Sequence, residues 1–316
     1  MNQPEGKKIF RDPRALPATD YPVVAMGNFD GVHLGHQAIL KTAIEHARRR
    51  NGLAFALTFD PPPAKVLFPN RAPRLIMTLE DKLDYLSRFD LAAIVVLEFT
   101  HELSLLEPRK FVADCLVEAI GVREVVIGAT AAFGHRRSGN AQKMIELGRE
   151  FGFETFVVQP VTVNGIMVSS SKIRELIASG DVKTAAFLLG RPHFLSGQVV
   201  RGHGRGRELG FPTANVSTST ECVPPNGVYA GRVILNDGVR DAVINIGTRP
   251  TFGENELAIE AYLFDFVGDI YGQKVKVEFI ERVREERKFP SPQALSEQIA
   301  HDVARAKEIL ARAPIY

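Results

Sequence analysis

Residues 22–36 read PVVAMGNFDGVHLGH, an apolar run followed by a glycine-rich turn. The run predicts a buried strand, and apolar residues at helical spacing over 37–50 predict a helix after the turn. Backbone N–H groups at the start of such a helix can approach a phosphate closely, because glycine permits a tight turn. This strand, turn and helix therefore predict an α/β fold with an anion-binding loop at 27–36.

The same alternation continues through the first half of the chain. Thr78 and Asp81 have the spacing of a capping box, which predicts a helix that ends near residue 88. Further helices are predicted at 108–120 and 141–151, and further strands at 53–59, 92–99, 124–127 and 154–158. Strands separated by helices of ten or more residues predict a parallel sheet with helical crossovers, as in a Rossmann-like domain.

The second half of the chain has a different pattern of apolar residues. After helical patterns at 170–179 and 182–189 come closely spaced runs rich in Val, Ile, Tyr and Phe, at 198–201, 227–235, 241–246, 259–266 and 275–279. These runs predict a small antiparallel sheet or barrel, and an amphipathic helix at 295–310 is expected to pack on it. Because Gly190, Arg191 and Pro192 interrupt the helical pattern, we predict two domains, 1–186 and 187–316.

Composition is that of a globular protein. The chain has 316 residues, enough for two cores, and 39 Lys and Arg against 37 Asp and Glu leave a net charge of +2. That charge gives no argument for nucleic acid or for a membrane surface as a partner. Cys115 and Cys222 lie far apart and are expected to be free thiols in a reducing compartment. Since no apolar run reaches the ~18 residues of a membrane helix, we expect a cytoplasmic protein.

Two histidines stand in the first loop. His33 and His36 are spaced i and i+3, so they can face one pocket and donate to phosphate oxygens, which neutralises the charge that grows on a leaving pyrophosphate. The backbone around them is predicted to bind ATP through Gly27, Asn28, Phe29 and Asp30. The alternative is a pair of surface histidines beside a tight turn.

A second anion-binding segment is VSSSKIR at 168–174. Its basic residues stand in the first turn of a predicted helix, where they oppose the helix dipole. An anion shared between Ser170, Ser171 and Arg174 would relieve that conflict. The alternative is an ordinary helix cap.

The stretch RGHGRGRELGFPTAN at 201–215 suits a kinase that lacks a P-loop. Gly202, Gly204 and Gly206 permit close approach of backbone to phosphate, Arg205 and Arg207 supply charge, and Thr213 with Asn215 offer oxygen ligands for Mg²⁺. One alternative is a basic flexible loop. Another is a nucleic-acid-binding barrel, which predicts aromatic residues among the basic ones, and none stands between 201 and 210. The P-loop-like spacing GHRRSG at 134–139 lacks the required Lys and Ser or Thr.

A carboxylate among aromatic residues stands at Glu260. Period-2 alternation puts it on one strand face with Tyr262 and Phe264, opposite Ala261 and Leu263. Such a carboxylate is either a general base or an edge-strand charge that faces water.

The motifs together resemble a known family. GNFDGVHLGH with VSSSKIR resembles the HxGH nucleotidyltransferase superfamily, and RGHGRGRELGFPTAN, PPNGVYAG, NIGTRPTFG and IEAYLFDFVGDIYG follow in the order of the bifunctional bacterial riboflavin kinase/FAD synthetase family. The resemblance covers nearly the whole chain. It implies an N-terminal domain that transfers AMP from ATP to FMN, giving FAD and pyrophosphate, and a C-terminal barrel that phosphorylates riboflavin to FMN.

The resemblance also implies roles for single residues. His33 and His36 would bind the triphosphate, Ser170, Ser171 and Arg174 would complete the clamp, and Glu260 would be the base for the riboflavin 5′-hydroxyl. Two departures concern the flavin half of the first site, where Pro62 replaces a histidine and GATAAFG at 128–134 has Thr130 and Ala131 in place of a polar and an aromatic residue. They predict inefficient FMN adenylylation. The alternative is a chain with riboflavin kinase activity only and a degenerate or regulatory N-terminal module.

Overall fold

A computed structural model describes residues 8–202, 206, 210–250 and 255–314. The chain forms two compact units, one of residues Met1–Arg74 with Leu79–Ser169 and one of Leu75–Thr78 with Ser170–Tyr316. The short segment belongs to the second unit, where the Leu75 amide donates to the Glu221 carboxylate and the Leu75 carbonyl accepts from the Cys222 amide. The predicted division after residue 186 stays a prediction.

The first unit is built on a parallel sheet, as predicted. Its six strands lie in the order β1-β4-β3-β2-β5-β8. Their bounds are β1 (Lys8–Phe10), β2 (Pro22–Met26), β3 (Leu53–Asp60), β4 (Ala93–Glu98), β5 (Glu124–Gly128) and β8 (Glu154–Val158). Two small hairpins add β6 (Ala132–Phe133) with β7 (Gly139–Asn140), and β9 (Thr162–Val163) with β10 (Ile166–Met167). The central strands are buried on both faces, which explains their continuous apolar runs.

Helices connect these strands. They are α1 (Leu34–Arg49), α2 (Pro63–Leu67), α3 (Leu79–Ser87), α4 (His101–Ser104), α5 (Pro108–Phe111) and α6 (Ala141–Phe151). The first begins three residues earlier than predicted, because the His33 side chain caps it by accepting from the His36 amide. The single helix predicted over 108–120 is instead α5 followed by a π-helical segment, Val112–Glu118.

The second unit is a closed antiparallel barrel in the order β11-β12-β15-β14-β13-β16, preceded by α7 (Ser170–Ser179) and α8 (Val182–Leu189). The strands are β11 (His193–Val200), β12 (Ala214–Thr218), β13 (Gly227–Leu235), β14 (Gly238–Pro250), β15 (Asn255–Leu263) and β16 (Lys274–Glu285). The sequence did not predict β12, which is short and carries one fully buried residue, Val216. Val182 of α8 joins the core inside the barrel.

The last helix, α9 (Pro292–Arg312), packs on the outside of the barrel, which confirms the prediction for 295–310. Its Ile309 and Leu310 cover Val228 and Val243, and Arg284 of β16 donates to both oxygens of the buried Asp302 carboxylate. Both cysteines are free thiols. Within the described residues, no helix is both long enough and apolar enough to cross a membrane.

Candidate functional sites

The glycine-rich loop lies where the strand order of the parallel sheet reverses. From β2 the chain moves through β3 and β4 to one side, then returns to place β5 on the other side of β2. The loops that follow β2 and β5 therefore start side by side at the carboxyl edge of the sheet. Ligands of open parallel sheets bind in this crevice, so the topology brings residues 27–36 and 128–134 to one candidate site.

The two histidines of the loop are stacked. The rings of His33 and His36 are nearly parallel with centroids 3.6 Å apart, and the Nδ1 atom of His33 accepts from the His36 amide at 3.3 Å. Because Nδ1 accepts, the proton of a neutral His33 ring is on Nε2, where it can be donated to a phosphate oxygen. Since His33 is only 6 % exposed and stacks on His36, the two are not unrelated surface side chains, and their role in phosphate binding stays a prediction.

The loop itself adopts a strained conformation. Phe29, Gly31 and Val32 have φ angles of 51°, 83° and 38°, in the left-handed region that favours glycine. The Phe29 ring is fully buried and lies edge-on to His36, with the two ring centroids 5.4 Å apart. The side-chain amide of Gln37 donates from Nε2 to the Val32 carbonyl at 3.0 Å and holds the end of the loop. Strained backbone of this kind clusters at ligand-binding sites.

Sequence reasoning missed a buried lysine next to this loop. Lys82 of α3 donates to the Asn28 carbonyl, the Phe59 carbonyl and the Thr58 hydroxyl. Burial lowers the pKa of Lys82 to about 8, and the Asp30 and Asp60 carboxylates oppose that shift. A signal was present in the sequence, because Lys82 stands four residues before the buried Leu86, on the apolar face of its helix.

The second half of the predicted clamp starts helix α7. Ser170 is the first residue of that helix and Arg174 is half-buried on its second turn. Because α7 belongs to the second compact unit, its union with His33 in one clamp stays a prediction. Val168, which stands just before this helix and belongs to the first unit, lies near the histidine loop. Its carbonyl oxygen is 3.9 Å from the position that a Cβ on Gly35 would occupy.

The residues that the family pattern assigns to the flavin half of this site are small. Thr130 is exposed in the turn between β5 and β6, and Ala131 is half-buried against the core of the sheet. Pro62 immediately precedes α2 and gives it no side-chain cap. None of the three offers the imidazole, carboxylate or aromatic ring that the family pattern led us to expect there.

The barrel carries the second candidate site on its outer face. Ala261 and Leu263 point into the barrel core, so the face that the alternation predicted Glu260 and Tyr262 to share is the outer one. Strand β15 lies between β12 and β14, so Glu260 is not on an edge strand and that alternative is wrong.

One predicted metal ligand, Asn215, shares this face with Glu260. Asn215 lies directly opposite Glu260 in the β12–β15 ladder, and Asn245 lies opposite Glu260 on the other side, in the β14–β15 ladder. Directly opposed side chains have Cβ atoms about 4.5–5.5 Å apart. Asn245 is the site residue that sequence reasoning missed, although it stands inside the NIGTRPTFG motif.

Gly202 makes a close approach to this row. A Cβ at Gly202 would lie 2.2 Å from Nδ2 and 2.7 Å from Oδ1 of Asn215, so only glycine leaves room for that side chain. A Cβ at Gly206 would likewise lie 3.1 Å from the Thr213 hydroxyl. The predicted phosphate-binding residues Gly204, Arg205 and Arg207 lie outside the described residues.

Hydroxyl, amide and carboxylate oxygens from Thr213, Asn215 and Glu260 form a donor set that fits a hard cation. Among the residues with described positions, no cluster of three His, Cys, Asp or Glu side chains could hold a metal ion. Mg²⁺ is commonly bound by one or two protein oxygens together with substrate phosphates.

A parallel sheet with a strained histidine loop at its switch point and a barrel with an oxygen-rich outer face define a two-unit transferase of nucleotide substrates. Residues 17–172 match the model of the FAD synthetase family, and residues 189–310 match that of the riboflavin kinase family. The chain belongs to the family of bifunctional riboflavin kinase/FMN adenylyltransferases.

Full-length relatives agree with this membership. The chain is 35% identical over 287 residues to the bifunctional riboflavin kinase/FMN adenylyltransferase of Escherichia coli strain K12, covering 90% of this chain and 92% of that protein. It is 38% identical to the Bacillus subtilis protein of the same name over 290 residues, covering 90% and 91%. A crystal structure of a protein from Streptococcus pneumoniae, described as a macrolide-efflux protein, superposes with a TM-score of 0.86 at 30% identity, over 95% of this chain and 98% of that one.

Proposed function

We propose that this chain makes both flavin cofactors: its barrel phosphorylates riboflavin with ATP to give FMN, and its parallel-sheet unit transfers AMP from a second ATP to FMN, giving FAD and pyrophosphate. The observation that carries the proposal is the presence of both sites, the stacked His33–His36 pair at the sheet switch point and the Asn215–Glu260–Asn245 row on the barrel. We also propose that residues 1–186 and 187–316 divide the two activities and that the protein is cytoplasmic.

In the adenylyl step the residues act by position and charge. The FMN phosphate attacks the α-phosphorus of ATP, and negative charge moves to the leaving pyrophosphate. His33 donates from Nε2 to the β- and γ-phosphate oxygens, together with His36, Ser170, Ser171 and Arg174, so that this charge is stabilised as it forms. The amides at the start of α1 and the backbone of Gly27, Asn28, Phe29 and Asp30 bind the nucleotide.

In the kinase step Glu260 takes the proton of the riboflavin 5′-hydroxyl as the oxygen attacks the γ-phosphorus of ATP, whose bond to the bridging oxygen breaks so that ADP leaves. Thr213 and Asn215 would hold Mg²⁺, which neutralises phosphate charge when bound. Gly202, Gly204, Gly206, Arg205 and Arg207 would surround the ATP phosphates. Positioning and electrostatic stabilisation supply most of the rate in such reactions.

The direct test is to incubate the pure protein with riboflavin, Mg²⁺ and ATP and to separate FMN from FAD over time. Both products are expected, with FMN appearing first. FMN without any FAD would favour the kinase-only alternative, for which the small residues at Thr130 and Ala131 are the supporting observation. No flavin product would contradict the proposal.

The small flavin-side residues predict a raised KM for FMN. The double variant Thr130→Asp and Ala131→Phe is expected to raise kcat/KM for FMN by about two- to twelvefold, which corresponds to the free energy of one aromatic contact. The KM for ATP should be unchanged. Steady-state kinetics of FAD formation measure both constants. The matched control is Ala132→Phe, which adds the same ring to an exposed neighbour. A native KM for FMN in the low micromolar range would show that other residues build the flavin pocket.

Loss of a metal ligand is expected to change the Mg²⁺ requirement of the kinase only. Thr213→Ala or Asn215→Ala should raise the Mg²⁺ concentration for half-maximal FMN formation by roughly tenfold or more, because each removes an oxygen ligand. Magnesium titrations of both reactions measure this. Ser217→Ala on the same strand and face is the control and should behave as wild type. A changed adenylyl step in the Thr213 or Asn215 variant would contradict the division of the two sites.

A further inference from the structure

The buried lysine next to the histidine loop is placed to control that loop. The side chain of Lys82 is only 5 % exposed, and its ammonium group donates to the Asn28 carbonyl at 3.3 Å, to the Thr58 hydroxyl at 3.1 Å and to the Phe59 carbonyl at 3.3 Å. The Thr58 hydroxyl in turn donates to the Asn28 carbonyl at 3.1 Å. Asn28 therefore receives two hydrogen bonds at the point where the chain leaves β2.

These bonds hold one end of a strained segment, and Gln37 holds the other. Between Asn28 and the Val32 carbonyl that Gln37 binds, three residues have left-handed backbone angles. Two of those residues, Phe29 and Val32, carry bulky side chains that disfavour such angles. A strained loop persists only where its surroundings over-determine it. The same segment leads directly into His33, whose ring caps α1.

We infer that Lys82 is a positioning residue for adenylyl transfer, and that it acts by fixing the Asn28 carbonyl and through it the loop that presents His33 and His36. This inference rests on the proposed function of the first unit. The ammonium group of Lys82 donates all three of its N–H groups to oxygen atoms of the protein. Its role therefore differs from that of a lysine that contacts phosphate. A fully charged lysine is seldom buried to this extent without such partners.

The charge state of Lys82 adds a readout that a general packing role would not have. Burial lowers its pKa to about 8, against the opposing effect of Asp30 in the loop and Asp60 at the end of β3. Asp60 also faces Arg11, and Asp81 is the buried neighbour of Lys82 on α3. As pH rises through 8 the ammonium loses a proton and one of its three bonds, and the loop loses part of its restraint.

The test compares FAD formation from FMN and ATP in the full chain and its Lys82→Met variant between pH 7 and pH 9. The variant is expected to lose about ten- to a hundredfold in kcat, because small misplacements of reacting groups carry losses of this size. Wild-type kcat should fall with an inflection near pH 8, and the variant should lack that inflection. Its riboflavin phosphorylation should equal wild type, which reports an intact second unit. Lys41→Met, at an exposed position of α1, is the matched control and should keep both the rate and the inflection.

The outcomes separate this inference from the function on which it rests. A wild-type chain that makes no FAD overturns both. The inference alone is overturned if the wild-type chain makes FAD and the Lys82→Met variant has an unchanged kcat. It is also overturned if the variant retains the inflection near pH 8. Should Lys82→Met fail to fold, Thr58→Val decides, because it removes one of the two bonds to Asn28 with little change in volume. It is expected to lower kcat several-fold and to keep the inflection, and an unchanged kcat overturns the inference.

Discussion

Glu260→Gln is expected to slow riboflavin phosphorylation by about 10²–10⁴-fold, the range typical for loss of a general base. The amide keeps the shape of the side chain and its place between Asn215 and Asn245, but it cannot take a proton. Flavin binding should therefore stay nearly unchanged. Single-turnover FMN formation measures the chemical step, and fluorescence titration of riboflavin measures binding.

The control for this variant is Glu281→Gln on β16, which neutralises another carboxylate of the barrel. Glu281 forms an ion pair with Lys183 at 2.7 Å, and partly exposed pairs of this kind contribute little to stability. This control should phosphorylate riboflavin as wild type does. A fall of less than about tenfold for Glu260→Gln would mean that Glu260 is not the base.

The second large effect is expected at His33. Both His33→Ala and His33→Asn should lower kcat for FAD formation by about 10²–10³-fold, the loss typical when one donor to a developing negative charge is removed. The kinase step should be unaffected in both. Parallel assays of FMN and FAD formation on the same preparation measure the two effects.

The pair of His33 variants separates catalysis from helix capping. His33 accepts from the His36 amide as the N-cap of α1, and asparagine can replace it in that role, whereas alanine cannot. His33→Ala should therefore be less stable than His33→Asn by about 1 kcal/mol in thermal or denaturant unfolding. If His33→Asn retained nearly full adenylyl activity, capping and not proton donation would be the function of this side chain.

The sequence by itself determined the two architectures and the faces of their strands. Strands β2, β3, β4, β5 and β8 and helices α3 and α6 lie within two residues of their predicted bounds, because apolar runs and amphipathic helices are encoded locally, whereas the shorter elements of this unit were not predicted. The same holds for the strand face that Glu260 shares with Tyr262, which follows from period-2 alternation in one strand. The family membership follows from short motifs that are likewise local.

Only the tertiary structure decided which residues meet. The sequence could not show that Glu260 lies between Asn215 and Asn245, because these partners stand 45 and 15 positions away along the chain and the short strand β12 has little apolar pattern of its own. For the burial of Lys82 the sequence offered only its place on the apolar face of α3, and that was not enough, because a lysine on a helix is exposed unless oxygens from other elements surround it. Helices and strands are determined by residues that are close along the chain. Functional sites are formed by residues from distant segments, and these residues meet only when the whole unit is packed.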